Sequence, residues 1–226
     1  MGRIYVAREP EEEVDTLPPT WPPGWDFPGP PWPPGWDELE DEELTNAAAW
    51  TIGRTTNTAG EYPPSGSLTK NIYGTLFGHW YQQSAPSKKA MQMRQFFNFT
   101  IPAGYASAYG YLTGPFSRDA GSEFDGYRIR IYKLDTAIAE PSSASELAAA
   151  WSAPRTLIAS LLVDSDSVPK APSAPELSFF VGPFDAGSVT ILMAVDAEMN
   201  NLKPDPGNTW RQMPDIVTAP TLTLYG

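Results

Sequence analysis

The chain contains no cysteine and a single histidine, His79, among its 226 residues. Disulfides, thiolate nucleophiles and cysteine-ligated zinc or iron–sulfur sites are therefore excluded. A Ser-His-Asp triad or a histidine-ligated metal site would have to use His79 alone, and no Gly-x-Ser-x-Gly elbow occurs. Because His79 stands in the sequence Phe-Gly-His-Trp-Tyr, we expect it to be packed or hydrogen-bonded rather than catalytic.

Long apolar runs and positive charge are also scarce. No stretch approaches the roughly 18 apolar residues that a membrane span needs, and no signal-peptide core follows Met1, so we expect neither. The formal net charge is −12, of which residues 1–45 carry −10. This segment would repel nucleic acid, and the remainder would not attract it. We therefore predict no nucleic-acid partner and no membrane insertion.

Carboxylates are the remaining source of chemistry, since two acids suffice for glycoside hydrolysis. Asp196 and Glu198, directly after an apolar run, are the pair best suited to that role. Asp164 and Asp166 are spaced so that they could help to hold a calcium ion, although a solvated turn is the favoured interpretation. The sequence thus predicts no enzyme, no cofactor and no metal.

Residues 1–45 form one compositional unit with a short repeat. Trp-Pro-Pro-Gly-Trp-Asp occurs at residues 21–26 and again at residues 32–37. Proline at this density favours an extended polyproline II backbone, and aromatic residues beside proline are common anchors in partner grooves. We predict an extended anchoring arm that docks through Trp21, Trp25, Phe27, Trp32 and Trp36. The alternative is that these side chains fold back on the protein's own sheet.

Residues 46–226 show short β-like runs separated by turn residues such as Thr113-Gly114-Pro115. In Tyr127–Leu134, apolar residues alternate with arginine, which is typical of a strand with one wet face. One helix is expected around residues 146–151, capped by Ser143 or Ser145 and ending before Pro154. The pattern predicts an all-β domain, a β-sandwich of jelly-roll type with one short helix. The predicted strands are Trp50–Arg54, Asn71–Phe77, Met91–Ile101, Ser107–Leu112, Tyr127–Leu134, Thr156–Val163, Leu177–Val181, Val189–Val195 and Thr221–Tyr225.

Aromatic residues offer a binding surface. Tyr109 and Tyr111 have the even spacing that places two side chains on one face of a strand, and Trp80 lies in another aromatic cluster. Such rings can stack on the C–H faces of sugars. The competing and favoured interpretation is that they fill the core of the sandwich.

The stretch from Gln95 to Leu112 reads Gln-Phe-Phe-Asn-Phe-Thr-Ile-Pro-Ala-Gly-Tyr-Ala-Ser-Ala-Tyr-Gly-Tyr-Leu. It resembles the central signature of DNRLRE-type, carbohydrate-binding-module-like sandwiches, in which a strand runs through an Ile-Pro turn into a second apolar strand. Tyr127–Leu134 and Trp151 follow in the same order. The resemblance implies a jelly roll of the kind found on cell-surface and phage structural proteins, without catalytic residues.

The whole chain also resembles tailed-phage virion components in its general composition, with an extended N-terminal arm followed by a Gly/Ser/Ala/Thr-rich body. The leading hypothesis is a non-enzymatic virion structural protein, a fibre, tail or capsid decoration component, made in the host cytoplasm and located in the virion. Its arm would dock on other virion proteins while the sandwich projects outward. The alternative is a carbohydrate-binding module or receptor-binding domain for surface glycans, and homo-oligomerisation stays open.

Overall fold

The structure is a computed structural model. It describes residues 4–6, 41–56, 66–71, 76–82, 89–105, 107–118, 127–163, 174, 176–195, 209–212, 214–216 and 219–225. The predicted anchors Trp21, Trp25, Phe27, Trp32 and Trp36 lie outside this part, as do Asp164, Asp166, Asp196 and Glu198.

The described residues form fourteen strands, one α-helix and one 3-10 turn. The strands are β1 (Ile4–Val6), β2 (Glu42–Thr45), β3 (Ala48–Thr56), β4 (Leu68–Lys70), β5 (Gly78–Gln82), β6 (Lys89–Ile101), β7 (Ala108–Arg118), β8 (Tyr127–Leu134), β9 (Arg155–Val163), β10 (Glu176–Phe184), β11 (Gly187–Val195), β12 (Thr209–Gln212), β13 (Pro214–Ile216) and β14 (Thr221–Leu224). The helix is α1 (Ala144–Ser152), and the 3-10 turn spans Ala103–Tyr105.

These strands build two sheets. The six-stranded sheet has the order β1-β10-β7-β14-β2, and β13 pairs with the last part of β7. The eight-stranded sheet has the order β12-β5-β6-β11-β8-β9, and β3 pairs with both β6 and β4. The pairing is antiparallel throughout, except that β1 runs parallel to β10. The predicted all-β sandwich with one short helix is confirmed.

The main core lies between the two sheets. Alternate residues of each strand enter it, so that β6 contributes Phe97 and Phe99 while β7 contributes Leu112 and Phe116. A second, smaller apolar layer lies on the outer face of the eight-stranded sheet, where α1 covers it. Its buried members are Trp50, Ile52, Phe96, Leu134, Ala150, Trp151 and Leu192.

A polar network holds the segment before α1 against this outer face. The side-chain Nδ2 atom of Asn98 donates to the carbonyl of Ile138 at 2.8 Å, and the Thr190 hydroxyl donates to the Asn98 Oδ1 atom at 2.6 Å. The Ile138 N–H in turn donates to the Thr190 hydroxyl at 3.0 Å. Because each of these partly buried groups has a partner, the hydrogen bonds offset the cost of removing them from water.

The predicted turn at residues 113–115 is wrong, because β7 continues through it to Arg118. Pro115 cannot donate to a ladder, and prolines are confined to strand positions where no donor is needed. Along one edge of β7, pairing with β14 ends at Thr113 and pairing with β13 begins at Phe116. Pro115 lies between these two positions. The missing N–H therefore lies in the gap between two partner strands.

Two strands fall within residues 1–45, which the sequence assigns to the arm. β1 pairs with β10, and β2 pairs with β14, at opposite edges of the six-stranded sheet. Leu44 packs against the main core. The ends of this segment are thus joined to the sandwich, whereas docking of its tryptophans on a partner stays a prediction.

The helix begins with a capping box at Ser143, one of the two predicted caps. The Ser143 hydroxyl accepts a hydrogen bond from the Glu146 N–H, and the Glu146 carboxylate accepts bonds from the N–H groups of Ser142 and Ser143. These bonds hold the pKa of Glu146 below its ordinary value of 4.5. The carboxylate therefore stabilises the fold above pH 4.5, and this contribution disappears as the pH falls through the lowered pKa.

Ser143→Ala is expected to lower the free energy of unfolding by about 1 kcal/mol, since it removes this cap. Ser145→Ala is the matched control, because it removes the 3.1 Å hydrogen bond between the Ser145 and Ser143 hydroxyls but keeps the bond from the Glu146 N–H to Ser143, so it should cost much less. Thermal unfolding at neutral pH compares the two serine variants. When the same experiment is repeated at acid pH, the melting temperature of Glu146→Gln should fall less than that of the wild type. An equal loss in both serine variants would contradict the assignment of the cap.

Candidate functional site

Four aromatic side chains lie together on the outer face of the six-stranded sheet. Tyr109 is 45% exposed, Phe180 50% and Tyr225 43%, and Tyr111 between them is partly buried. We call Tyr109, Tyr111, Phe180 and Tyr225 the aromatic platform. Large apolar groups are normally withdrawn from water, so a contiguous exposed group of this kind is a candidate binding surface.

The four rings contact one another rather than lying scattered. Tyr109 and Phe180 are stacked, with ring centroids 5.4 Å apart and an angle of 2° between the rings. Tyr111 meets Phe180 edge-on at 5.5 Å and Tyr225 edge-on at 5.6 Å. Such contacts restrict the rotamers of each side chain before any ligand arrives, which lowers the entropy cost of binding.

The alternation of β7 produces the platform. Gly110 and Leu112 face inward and are buried, so Tyr109 and Tyr111 must face outward. β10 places Phe180 directly opposite Tyr111, and the N–H of Tyr225 donates to the carbonyl of Tyr109 at 3.1 Å. Three neighbouring strands therefore contribute one contiguous aromatic surface.

Gly110 is required by the close approach of β7 and β14. A Cβ atom at this position would lie 2.2 Å from the carbonyl oxygen of Thr223, which is a backbone atom. Only glycine lets the two strands pair at this distance, and this pairing brings Tyr225 beside the other rings.

A row of hydroxyl groups borders the platform on the same face. Thr45, Thr221, Thr113 and Ser178 are successive cross-strand neighbours on β2, β14, β7 and β10. The hydroxyls of Thr113 and Ser178 share a hydrogen bond of 2.8 Å. A second row of cross-strand neighbours passes through the platform. It consists of Phe180, Tyr111, Thr223 and the exposed Glu43. The face thus combines flat apolar rings with donors and acceptors at their border.

The structure divides the residues predicted to bind glycans. Tyr109 and Tyr111 share one face, as their spacing predicts, and the favoured core-filling interpretation is wrong for Tyr109 because it is exposed. Trp80 lies on β5 in the eight-stranded sheet and does not join the two tyrosines on their sheet; its side chain lies outside the described part. A role of these residues in glycan binding stays a prediction.

Phe180 and Tyr225 are the platform residues that sequence reasoning missed. Phe179 and Phe180 are adjacent, so one of them must face away from the core, but the sequence does not say which. Tyr225 directly follows the short strand β14, where alternation is hard to recognise. The alternation of exposed and buried residues along both strands is the signal that could have identified them.

His79 is buried on β5, as expected, and its Nε2 atom donates a hydrogen bond of 3.2 Å to the carbonyl of Val195. Within the described ranges, no group of three or more His, Asp or Glu side chains is arranged to hold a metal ion. In the same part of the chain, the helix is too short to cross a membrane.

No family model matches the chain, and no curated protein matches it. The resemblances to DNRLRE-type sandwiches and to virion proteins therefore stay predictions. Among solved structures, the chain is similar to one described as a xylan-binding module CBM15, with 14% sequence identity and a TM-score of 0.39. The similarity covers 82% of this chain and 96% of that one. A similarity of this degree does not identify a shared ligand.

Proposed function

We propose that this protein is a non-catalytic carbohydrate-binding protein that recognises sugars through the aromatic platform. The observation that carries the proposal is the exposure of Tyr109, Phe180 and Tyr225 on one sheet face, in mutual contact through Tyr111. Nothing in the packing of a sandwich requires these rings to face water.

The chemistry of the face suits a polysaccharide. A pyranose ring presents an apolar C–H surface that packs on an aromatic ring, and it presents hydroxyls at its edge that need hydrogen-bond partners. The platform supplies the first kind of contact. The hydroxyl row that includes Thr113 and Thr221, together with Glu43, supplies the second along the platform border.

An open sheet face also suits a long ligand better than a small one. A concave pocket surrounds a small molecule, whereas a row of side chains on a sheet contacts several units of an extended chain. We therefore expect affinity to rise with the length of the oligosaccharide until the platform is covered.

The alanine variants Tyr109→Ala and Phe180→Ala are expected to weaken polysaccharide binding by about tenfold each, because a stacked ring contributes roughly 1–2 kcal/mol through contact area and ring geometry. A panel of neutral polysaccharides tested by affinity electrophoresis, followed by calorimetry on the best ligand, measures this. Tyr109→Phe keeps the ring and should retain most of the affinity.

Leu157→Ala is the matched control, because Leu157 is 47% exposed but lies on β9 in the other sheet. It should bind like the wild type. The proposal fails if no polysaccharide in the panel binds, or if the double variant Tyr109→Ala/Phe180→Ala binds as well as Leu157→Ala.

A further inference from the structure

The outer face of the eight-stranded sheet carries a cluster of positive charge, far from the aromatic platform. Arg54 on β3 and Arg94 on the neighbouring strand β6 both lie over the ring of Trp151, with their Cζ atoms 5.2 Å and 3.9 Å from its centroid. Arg155, on β9, reaches over the ring of Tyr132 at 5.1 Å. Arg54 and Arg94 therefore cover the end of α1 that carries Trp151, and the charge of Arg155 acts on Arg94 from the side of β9.

Among the residues that the structure describes, no acid pairs with this cluster. In the ranges that the structure describes, ion pairs join Lys70 to Glu140 and Lys133 to Asp185, but no carboxylate lies within ion-pair distance of Arg54, Arg94 or Arg155. Because the chain as a whole has a net charge of −12, three arginines without an acidic partner contrast with its overall composition. Like charges gathered in this way repel one another unless an anion is bound.

Two further observations concern the burial and the charge of these arginines. The Nε atom of Arg54 is buried and has no hydrogen-bond acceptor, which is a costly state for a charged donor. Burial, followed by the positive charges of Arg155 and Arg54, lowers the pKa of the Arg94 guanidinium to about 9. Arg94 donates to the carbonyl of Trp151, so it also fixes the end of the helix.

From these contacts we infer that Arg54, Arg94 and Arg155 form a binding site for an oxyanion, a carboxylate or a sulfate group. The planar guanidinium presents paired N–H donors that match two oxygens of such a group. Arg94 lies between Arg54 and Arg155 in the order of the strands, so an anion near Arg94 is attracted from both sides. The site is separate from the aromatic platform and does not depend on sugar binding.

The test is titration of the full chain with citrate and with sulfate by calorimetry at constant ionic strength. Arg54→Gln/Arg155→Gln is the decisive variant, because it removes two charges and leaves Arg94 to hold Trp151. Lys70→Gln/Lys133→Gln is the matched control, since it removes two charges that are already paired with acids. Far-UV circular dichroism confirms folding, and Arg155→Gln alone replaces the double variant if that variant does not fold.

We expect at least one of the two anions to bind the wild type and the lysine variant equally, and to bind the arginine variant at least tenfold more weakly. Binding of citrate alone identifies a carboxylate site, binding of sulfate alone identifies a sulfate site, and binding of both identifies a general oxyanion site. The inference is overturned if neither anion binds the wild type, or if the arginine variant binds as tightly as the lysine variant. Retained anion binding in Phe180→Ala would separate this site from the proposed glycan site.

Discussion

Phe97→Ala is expected to lower the free energy of unfolding by about 3–5 kcal/mol, whereas Phe180→Ala is expected to change it by less than about 1 kcal/mol. Both residues are phenylalanines in the middle of long strands. Phe97 on β6 is 1% exposed in the main core, so its loss leaves a cavity that the surrounding side chains cannot fill. Phe180 is half exposed, and its loss removes little buried surface.

Urea denaturation measures the free energy of unfolding of the two variants. The comparison is valid when the slope of the transition is the same for both. The comparison separates stability from function, because Phe180→Ala should weaken glycan binding about tenfold while Phe97→Ala should retain it in the fraction that is folded. If Phe180→Ala proves as destabilising as Phe97→Ala, the ring contributes to the core of the fold and the platform is not an open binding surface.

Gly110→Ala is expected to cost several kcal/mol of stability, at or above the roughly 1–3 kcal/mol typical of an overpacked core. The added Cβ atom would lie 2.2 Å from the Thr223 oxygen and 3.2 Å from the Leu224 Cα atom, both of which belong to the backbone of β14. A backbone cannot rotate away as a side chain can, so β14 must move. Because Tyr225 directly follows β14, we also expect weaker glycan binding.

Gly114→Ala, on the same strand, is the matched control. Its added Cβ atom would meet the Pro220 Cβ atom at 3.2 Å and the Pro220 Cα atom at 3.4 Å, so Pro220 would have to shift by only a few tenths of an ångström. Thermal unfolding should therefore show a much smaller loss than for Gly110→Ala. Equal losses would contradict the close pairing of β7 and β14 on which the platform depends.

Sequence reasoning succeeded where alternation is unambiguous. The strand Tyr127–Leu134 is predicted to the residue, because arginines alternate with apolar residues along it. The helix and its Ser143 cap follow from a local hydrogen-bonding pattern that needs no knowledge of the rest of the fold. Strands with continuous apolar residues, such as β11, were also identified, since their length and β-branched residues are sufficient.

Several short strands and the full membership of the platform could not be predicted, because they depend on contacts between residues that are distant in sequence. β2, β4, β12 and β13 have three or four residues each, and their conformation depends on partners distant in sequence. The sequence shows that aromatic residues are present on these strands, but it does not show which face of each strand packs against the other sheet. That choice depends on sheet order, which a single sequence does not encode in any local pattern.

The strand β6 belongs to two apolar layers at once, and this has a dynamic consequence. Phe97 and Phe99 point into the core between the sheets, while Phe96 points into the small layer beneath α1. Lifting the helix would expose the small layer while the core between the sheets stays closed. Local opening on this side therefore requires less free energy than global unfolding. We therefore expect the face with the arginines to open more readily than the face with the aromatic rings, which rests directly on the main core.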